Sequence, residues 1–244
     1  MSVPSSSSSA SSTAYWIEWH SRLRGHEFFC EIDEDYILDR FNLTGLNLDV
    51  PHYAAAYDLI NDCLEDTLDD ATRVEVDRSA RLLYGLIHAR FILTQRGLAK
   101  MYEKYRLGHF GRCPRVLCGG QETLPVGLTD TPGMKSVKLF CPRCEDVYTP
   151  PARRHAAIDG AFFGTTFPHL LLHTMPELVP RKAAGSGFEG VPGGARGTPL
   201  GAGMGAGADT LSRYVPKIFG FRVHHASREH HLQDKVAAAL GVQR

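Results

Sequence analysis

Along roughly the first half of the chain, apolar positions recur at helical spacing, and after that their pattern changes. A cluster over residues 15–23 that contains Trp16 and Trp19 predicts a short helix. Asp33 stands where an N-cap belongs, Glu34 and Asp35 place negative charge in the first turn that follows, and Gly45 is positioned to end that helix. Pro51 opens the next one, in which Tyr53, Tyr57, Ile60 and Leu64 share one stripe. Residues 74–94 are apolar on most faces, through Leu82, Leu83, Leu86, Ile87, Phe91 and Leu93, the pattern of a helix buried at a domain centre. Gly97 is expected to interrupt it. Leu98, Met101, Tyr102 and Tyr105 then follow at i, i+3, i+4 and i+7, up to Gly108, which can cap a further helix.

Between residues 110 and 150 the helical period gives way to Pro, Gly and short β-prone runs at 137–140 and 147–149, which bracket four cysteines. Residues 161–175 allow a return to helix. Ten of the 23 residues from 185 to 207 are Gly, with too few large side chains to offset the entropy of ordering them, so a flexible linker is expected. Residues 214–224 alternate aromatic and aliphatic with basic residues, and the last twenty predict a short exposed helix. The expected fold class is α+β. An all-helical lobe at 15–107 precedes a small antiparallel β domain with a following helix at 108–180; a linker at 181–213 and an extended C-terminal segment at 214–244 complete it. The Ser-rich residues 1–14 are expected to be disordered.

Composition narrows the function classes. With 43% hydrophobic residues in 244, the chain can bury a real core, and nowhere does it run to the roughly 20 apolar residues of a membrane span. The first fourteen residues have neither a basic n-region nor an apolar h-region. A reducing compartment is therefore expected, where cysteines serve as metal ligands or free thiols more than as a disulfide framework. The zero net charge conceals an asymmetry. Residues 27–77 carry fifteen acids against Arg40 and Arg73, a net of −13, while residues 78–244 carry 23 Lys or Arg against 11 acids, a net of +12, and the first 26 residues add +1. Such an acidic lobe attracts polyamines or basic proteins and repels nucleic acid.

The cysteine spacing is the strongest chemical signal. Cys113 and Cys118 form a C-x4-C pair, and after 22 residues Cys141 and Cys144 form C-x2-C. Two tight turns brought together can supply four thiolates to a tetrahedral Zn2+ at about 2.3 Å per sulfur. Four thiolates fill the shell, so the site is read as structural, with one Zn2+ per chain and no open position for catalysis. Disulfides are the weaker alternative. His109 is read as a surface residue, and Cys30 and Cys63, both in predicted helices, as buried apolar packing. No phosphate-binding G-x-x-x-x-G-K-S/T loop, kinase signature or G-x-S-x-G element is present, so no catalytic residue is assigned. A zinc-ribbon nucleic-acid-binding or transcription-associated protein is the alternative reading. Its basic residues, Arg112, Arg115, Lys135, Lys138 and Arg143, make only a modest patch.

The longer motifs carry a resemblance. The run LRGHEFFCEIDEDYI from Leu23, FNLTGLN from Phe41, LYGLIHARFILTQRG from Leu83, FGRCPRVLC from Phe110, VKLFCPRCEDVYTP from Val137 and DGAFFGTTFPHLLL from Asp159 resemble, in order and spacing, the regulatory beta subunits of casein kinase II. The resemblance implies a non-catalytic regulator of a serine/threonine kinase, found in nucleus and cytoplasm. It further implies a zinc ribbon through which two chains dimerise, and a C-terminal segment in which Phe219 and Phe221 dock catalytic subunits, giving two catalytic plus two regulatory chains. The family's acidic regulatory loop falls at residues 61–70, where Asp62, Glu65, Asp66, Asp69 and Asp70 supply a sparser charge. The family's N-terminal serines, targets of the kinase itself, are often followed by acids; here Ser5 to Ser12 are followed by Thr13, Ala14 and Tyr15.

Overall fold

A computed structural model describes residues 15–65, 68–180 and 216–224, together with Ser227. The Ser-rich tail, the Gly-rich stretch and the helix expected over the last twenty residues lie outside the described residues. The class is α+β as expected. Five helices come first, α1 (Trp16–Ser21), α2 (Glu34–Leu38), α3 (Tyr53–Ile60), α4 (Asp70–Phe91) and α5 (Gln95–Arg106). Strands β1 (Leu124–Val126), β2 (Lys138–Cys141) and β3 (Asp146–Tyr148) follow, then α6 (Arg153–Ala156), α7 (Phe167–Thr174) and the hairpin β4 (Lys217–Ile218) and β5 (Phe221–Arg222). The three-stranded sheet is antiparallel in the order β1-β2-β3, with Leu124 opposite Phe140 and Leu139 opposite Tyr148. No helix of the described residues is long and apolar enough to cross a membrane.

Helix α4 is the axis of the packing. Asp69 caps it, its carboxylate accepting from the Thr72 amide at 3.3 Å and from Thr72 Oγ1 at 2.7 Å. Its early turns bury only Val76, whereas Leu83, Tyr84, Ile87, His88 and Phe91 are buried further on, as the all-round apolar sequence predicts. Gly85 is required where the helix meets the 3-10 turn Gly160–Phe162: a Cβ there would sit 2.4 Å from the Phe162 ring. His88 is fully buried, its Nδ1 2.7 Å from the Phe162 carbonyl and its Nε2 3.2 Å from the Cys30 amide. Since a carbonyl only accepts and an amide only donates, Nδ1 carries the proton and Nε2 accepts. One hydrophobic cluster runs from Trp16 through α4 and α5 into β1, β2 and α7, and the four cysteines form a second cluster with Tyr148 against it.

Several local expectations are corrected. Asp33 precedes α2 but makes no capping bond. Its carboxylate is taken by Arg96 at 2.8 Å and Lys100 at 2.6 Å, two cations of α5 that outcompete a neutral N–H. The helix ends at Leu38, well before Gly45, because the Asp39 carboxylate accepts from the Phe41 amide at 3.0 Å and starts a 3-10 turn. Gly97 lies inside α5. The break falls at residues 92–94, where Thr94 Oγ1 accepts from the Gly97 amide at 3.1 Å, and Gly97 is needed because a Cβ would lie 2.1 Å from the Phe91 carbonyl oxygen. Gly108 ends α5 as expected. It has a φ of 71°, its amide bonds Tyr105 O at 2.9 Å and the His109 amide bonds Lys104 O at 3.0 Å, the bond pair of a Schellman cap.

The two remaining cysteines also depart from expectation. Cys30 is buried, but outside any helix, and burial pushes its thiol up to about 12. Cys63 is exposed and outside any helix. α3 stops at Ile60, Asp62 turns left-handed at φ 57°, and the chain swings outward, leaving Cys63 and Leu64 beyond the apolar stripe.

Candidate metal centre

The four cysteines occupy two tight turns. The Cys113 amide donates to Gln121 O at 2.8 Å, and the Cys118 amide to Arg115 O at 3.0 Å. Cys118 ends a 3-10 turn, after which Gly119 and Gly120 carry the chain back with φ of 58° and 73°. Cys141 is the last residue of β2, Cys144 lies in the turn before β3, and the Glu145 amide returns to Cys141 O at 2.8 Å. Pairing of β2 with β3 holds one turn, and the antiparallel bridge of Arg112 with Glu122 holds the other.

All four thiols are buried, and their sulfurs lie within 4.8 Å of one another. Cys113 Sγ is 3.8 Å from Cys144 Sγ, and Cys118 Sγ is 4.0 Å from Cys141 Sγ. A tetrahedron with metal–sulfur bonds of about 2.3 Å has edges of about 3.8 Å, so the cluster has the dimensions of a four-thiolate shell. It lacks those of disulfides, which need about 2.05 Å between sulfurs. The donor set makes the same demand electrically. Cys144 is held down to about 5, first by the hydrogen bond from Cys141, while burial pushes Cys118 up to about 12 and the bond to Cys144 pushes Cys141 up as well. Thiols this close cannot all ionise without a cation among them. The Tyr148 hydroxyl lies 3.2 Å from Cys144 Sγ, a contact that cysteine spacing alone did not reveal. His109 is exposed and outside the cluster.

The other candidate residues fall into separate places. Phe219 and Phe221 are 65% and 79% exposed on the β4–β5 hairpin, outside the core. Phe219 and Gly220 form its two-residue turn with φ of 48° and 81°, the pattern of a type I′ turn, and a bulky aromatic in that conformation is strained. The Phe219 amide donates to Thr166 Oγ1 at 3.0 Å. Of the acidic set, the Asp62 carboxylate accepts from the Trp16 amide at 3.1 Å and Asp69 caps α4, so both are used structurally. Asp70 begins α4, Glu65 lies in the preceding loop, and Asp66 is outside the described residues. The basic residues near the cysteines are engaged locally: Arg112 with Glu122 at 3.4 Å, Arg115 with Asp146 at 3.3 Å, and Lys138 with Thr149 Oγ1 at 3.0 Å.

The geometry thus defines a class, an α+β protein with a closed four-cysteine structural metal site and an aromatic hairpin away from it. The family described as "Casein kinase II regulatory subunit" matches residues 15–222. The chain is 51% identical over 234 residues to the casein kinase II subunit beta of Schizosaccharomyces pombe, covering 96% of this chain and 90% of that protein. To the subunit beta of Dictyostelium discoideum it is 48% identical over 219 residues, covering 89% and 72%. To the subunit beta-2 of Neurospora crassa it is 47% identical over 222 residues, covering 91% and 68%. The chain belongs to the casein kinase II regulatory subunit family.

Proposed function

We propose that this chain is the non-catalytic regulatory component of a casein kinase II assembly in nucleus and cytoplasm. Cys113, Cys118, Cys141 and Cys144 hold one structural Zn2+ per chain, the cysteine module pairs two chains, and Phe219 and Phe221 dock a catalytic subunit, giving two of each. When bound, the ion would cross-link the two turns and offset half of the charge of their four thiolates, and with those thiolates in place it would have no open position for a substrate. Family membership supports the partner, and the hairpin supports the means.

The observation that carries the reading is the exposure of two phenyl rings on one hairpin, one on a strained backbone, where burial in the chain's own core would be the cheaper arrangement. Rings so presented are the anchors whose truncation costs about 2 kcal/mol or more of binding. Pairing of Arg112 with Glu122 and of Arg115 with Asp146 draws two of the five basic residues near the cysteines into local ion pairs, which weakens the nucleic-acid reading. Mixed with a casein kinase II catalytic subunit, the purified chain is expected to elute as a heterotetramer in size-exclusion chromatography. Separate elution at micromolar concentration would sink the proposal. Phe221→Ala is expected to dissociate first, and metal analysis of the isolated dimer to give one zinc per chain.

A further inference from the structure

Away from the metal centre, a cleft of about 340 Å³ opens between α1, the loop that follows it, α4 and residues 154–162. Three guanidinium groups line it, those of Arg24, Arg81 and Arg154, against one carboxylate, Asp159. Arg24 is exposed and makes no ion pair among the described residues. Arg81 gives its Nε to Asp77 at 2.9 Å and Arg154 its Nε to Glu27 at 3.2 Å, so the terminal nitrogens of both have no acceptor among the described residues. The Asp159 carboxylate is itself held by the amides of Gly133 and of Ala161, the latter at 3.0 Å.

The buried wall of the cleft adds an independent observation. His20 is 2% exposed, and its Nδ1 has no hydrogen-bond partner among the described residues. Its ring lies 4.2 Å from that of His26, whose Nδ1 is 2.8 Å from the His20 carbonyl oxygen. Burial keeps both imidazoles neutral, and Asp77 and Glu27 balance Arg81 and Arg154 in charge, so the half-enclosed space offers unused guanidinium donors and not net charge. Burial first, and then His26 and Arg81, hold His20 down to about 3. A group with several acceptor oxygens satisfies these forked donors in a way that a single carboxylate does not. The cleft is also larger than a bare anion. Its remaining wall is apolar, from Phe29 and Phe162.

We propose that this cleft binds a phosphate monoester, with the phosphate taken by Arg24, Arg81 and Arg154 and the organic part laid against Phe29 and Phe162. The chain's two tryptophans report on the site. Trp16 stacks on His20 at 4.7 Å, and the Arg81 guanidinium lies 5.2 Å from the Trp19 ring.

The test is a titration of the full-length chain followed by tryptophan fluorescence, with inorganic phosphate, phenyl phosphate and sulfate as probes. Phenyl phosphate is expected to saturate the signal and to bind about tenfold more tightly than inorganic phosphate, since it alone uses the apolar wall. Arg24→Ala is expected to weaken phenyl phosphate about tenfold while leaving the ligand-free melting temperature unchanged, because Arg24 is exposed and makes no ion pair among the described residues. Ala157→Glu, at an exposed lining position, provides a second variant that places a carboxylate in the cleft and is expected to abolish the response. The proposal is overturned by no saturable change up to roughly 10 mM of either phosphate. Equal responses to sulfate and both phosphates, or unaltered affinity in both variants, overturn it as well.

Discussion

His88 offers a direct test of how the core is held. It is fully buried, donates from Nδ1 to the Phe162 carbonyl and accepts at Nε2 from the Cys30 amide, so it joins three distant segments only while neutral. Burial lowers its pKa to about 4, and that of His20 to about 3. A histidine whose folded pKa lies below the unfolded 6.5 binds fewer protons when folded. Its stabilising contribution is complete above pH 6.5 and is lost as pH falls toward the folded pKa. Between about pH 7.5 and about pH 5 this amounts to about 2 kcal/mol for His88 and a similar amount for His20. Replacing His88 by Phe removes both hydrogen bonds and leaves a carbonyl and an amide unpaired in the core, a cost of about 2–4 kcal/mol near neutral pH. It also removes one titrating group, so the drop in stability on acidification should shrink by about 2 kcal/mol. Urea unfolding of wild type and His88→Phe at the two pH values measures both effects. Parallel pH profiles would refute the assignment of a neutral, doubly bonded His88.

Three further outcomes are expected. Gly97→Ala gains about 1 kcal/mol of helix propensity but sets a Cβ 2.1 Å from the Phe91 carbonyl oxygen; overpacking of about 1–3 kcal/mol should leave a net loss, read as a lower urea midpoint, and an unchanged or raised midpoint contradicts the close approach. Cys141→Ser should reduce bound metal from one ion per chain to none by elemental analysis and lower the melting temperature, since the ligand is fully buried; retained metal at full occupancy would show that the cluster is not the site. Phe219→Asn places Asn-Gly in the type I′ turn, so stability should hold or rise slightly while affinity for a catalytic subunit falls roughly thirtyfold in a surface-binding assay; unchanged affinity would remove that ring from the proposed interface.

What could be read from the sequence follows the range of the interaction responsible. The cysteine cluster was legible because two tight turns impose local spacing, and α4 because its all-round apolar character needs no partner to recognise. Gly108 was legible as a cap for the same reason, since both of its Schellman bonds are local. Gly97 was misread because its requirement comes from Phe91 across a break and not from its own helix. Asp33 has the local look of a cap, but Arg96 and Lys100, more than sixty residues on, take its carboxylate. The basic cleft left no trace in the sequence, because Arg24, Arg81 and Arg154 come from three segments that only the fold brings together.

The hairpin, α7 and the cysteine turns depend on one another in a fixed order. Two strands of two residues are marginal by themselves, and the hairpin rests on α7, with the Phe219 amide bound to Thr166 just before that helix. α7 spans eight residues, too few to be helical alone, so its order comes from packing against β1 and from Phe140, whose ring meets His169 edge-on at 4.8 Å. Phe140 in turn is next to Cys141 at the end of β2, and strands of three and four residues gain little from their own ladders. Exposed rings at the tip are thus positioned by a helix, the helix by a small sheet, and the end of that sheet by a buried thiol. A metal held by that thiol would bear on the hairpin through Phe140, His169 and Thr166 without touching either ring.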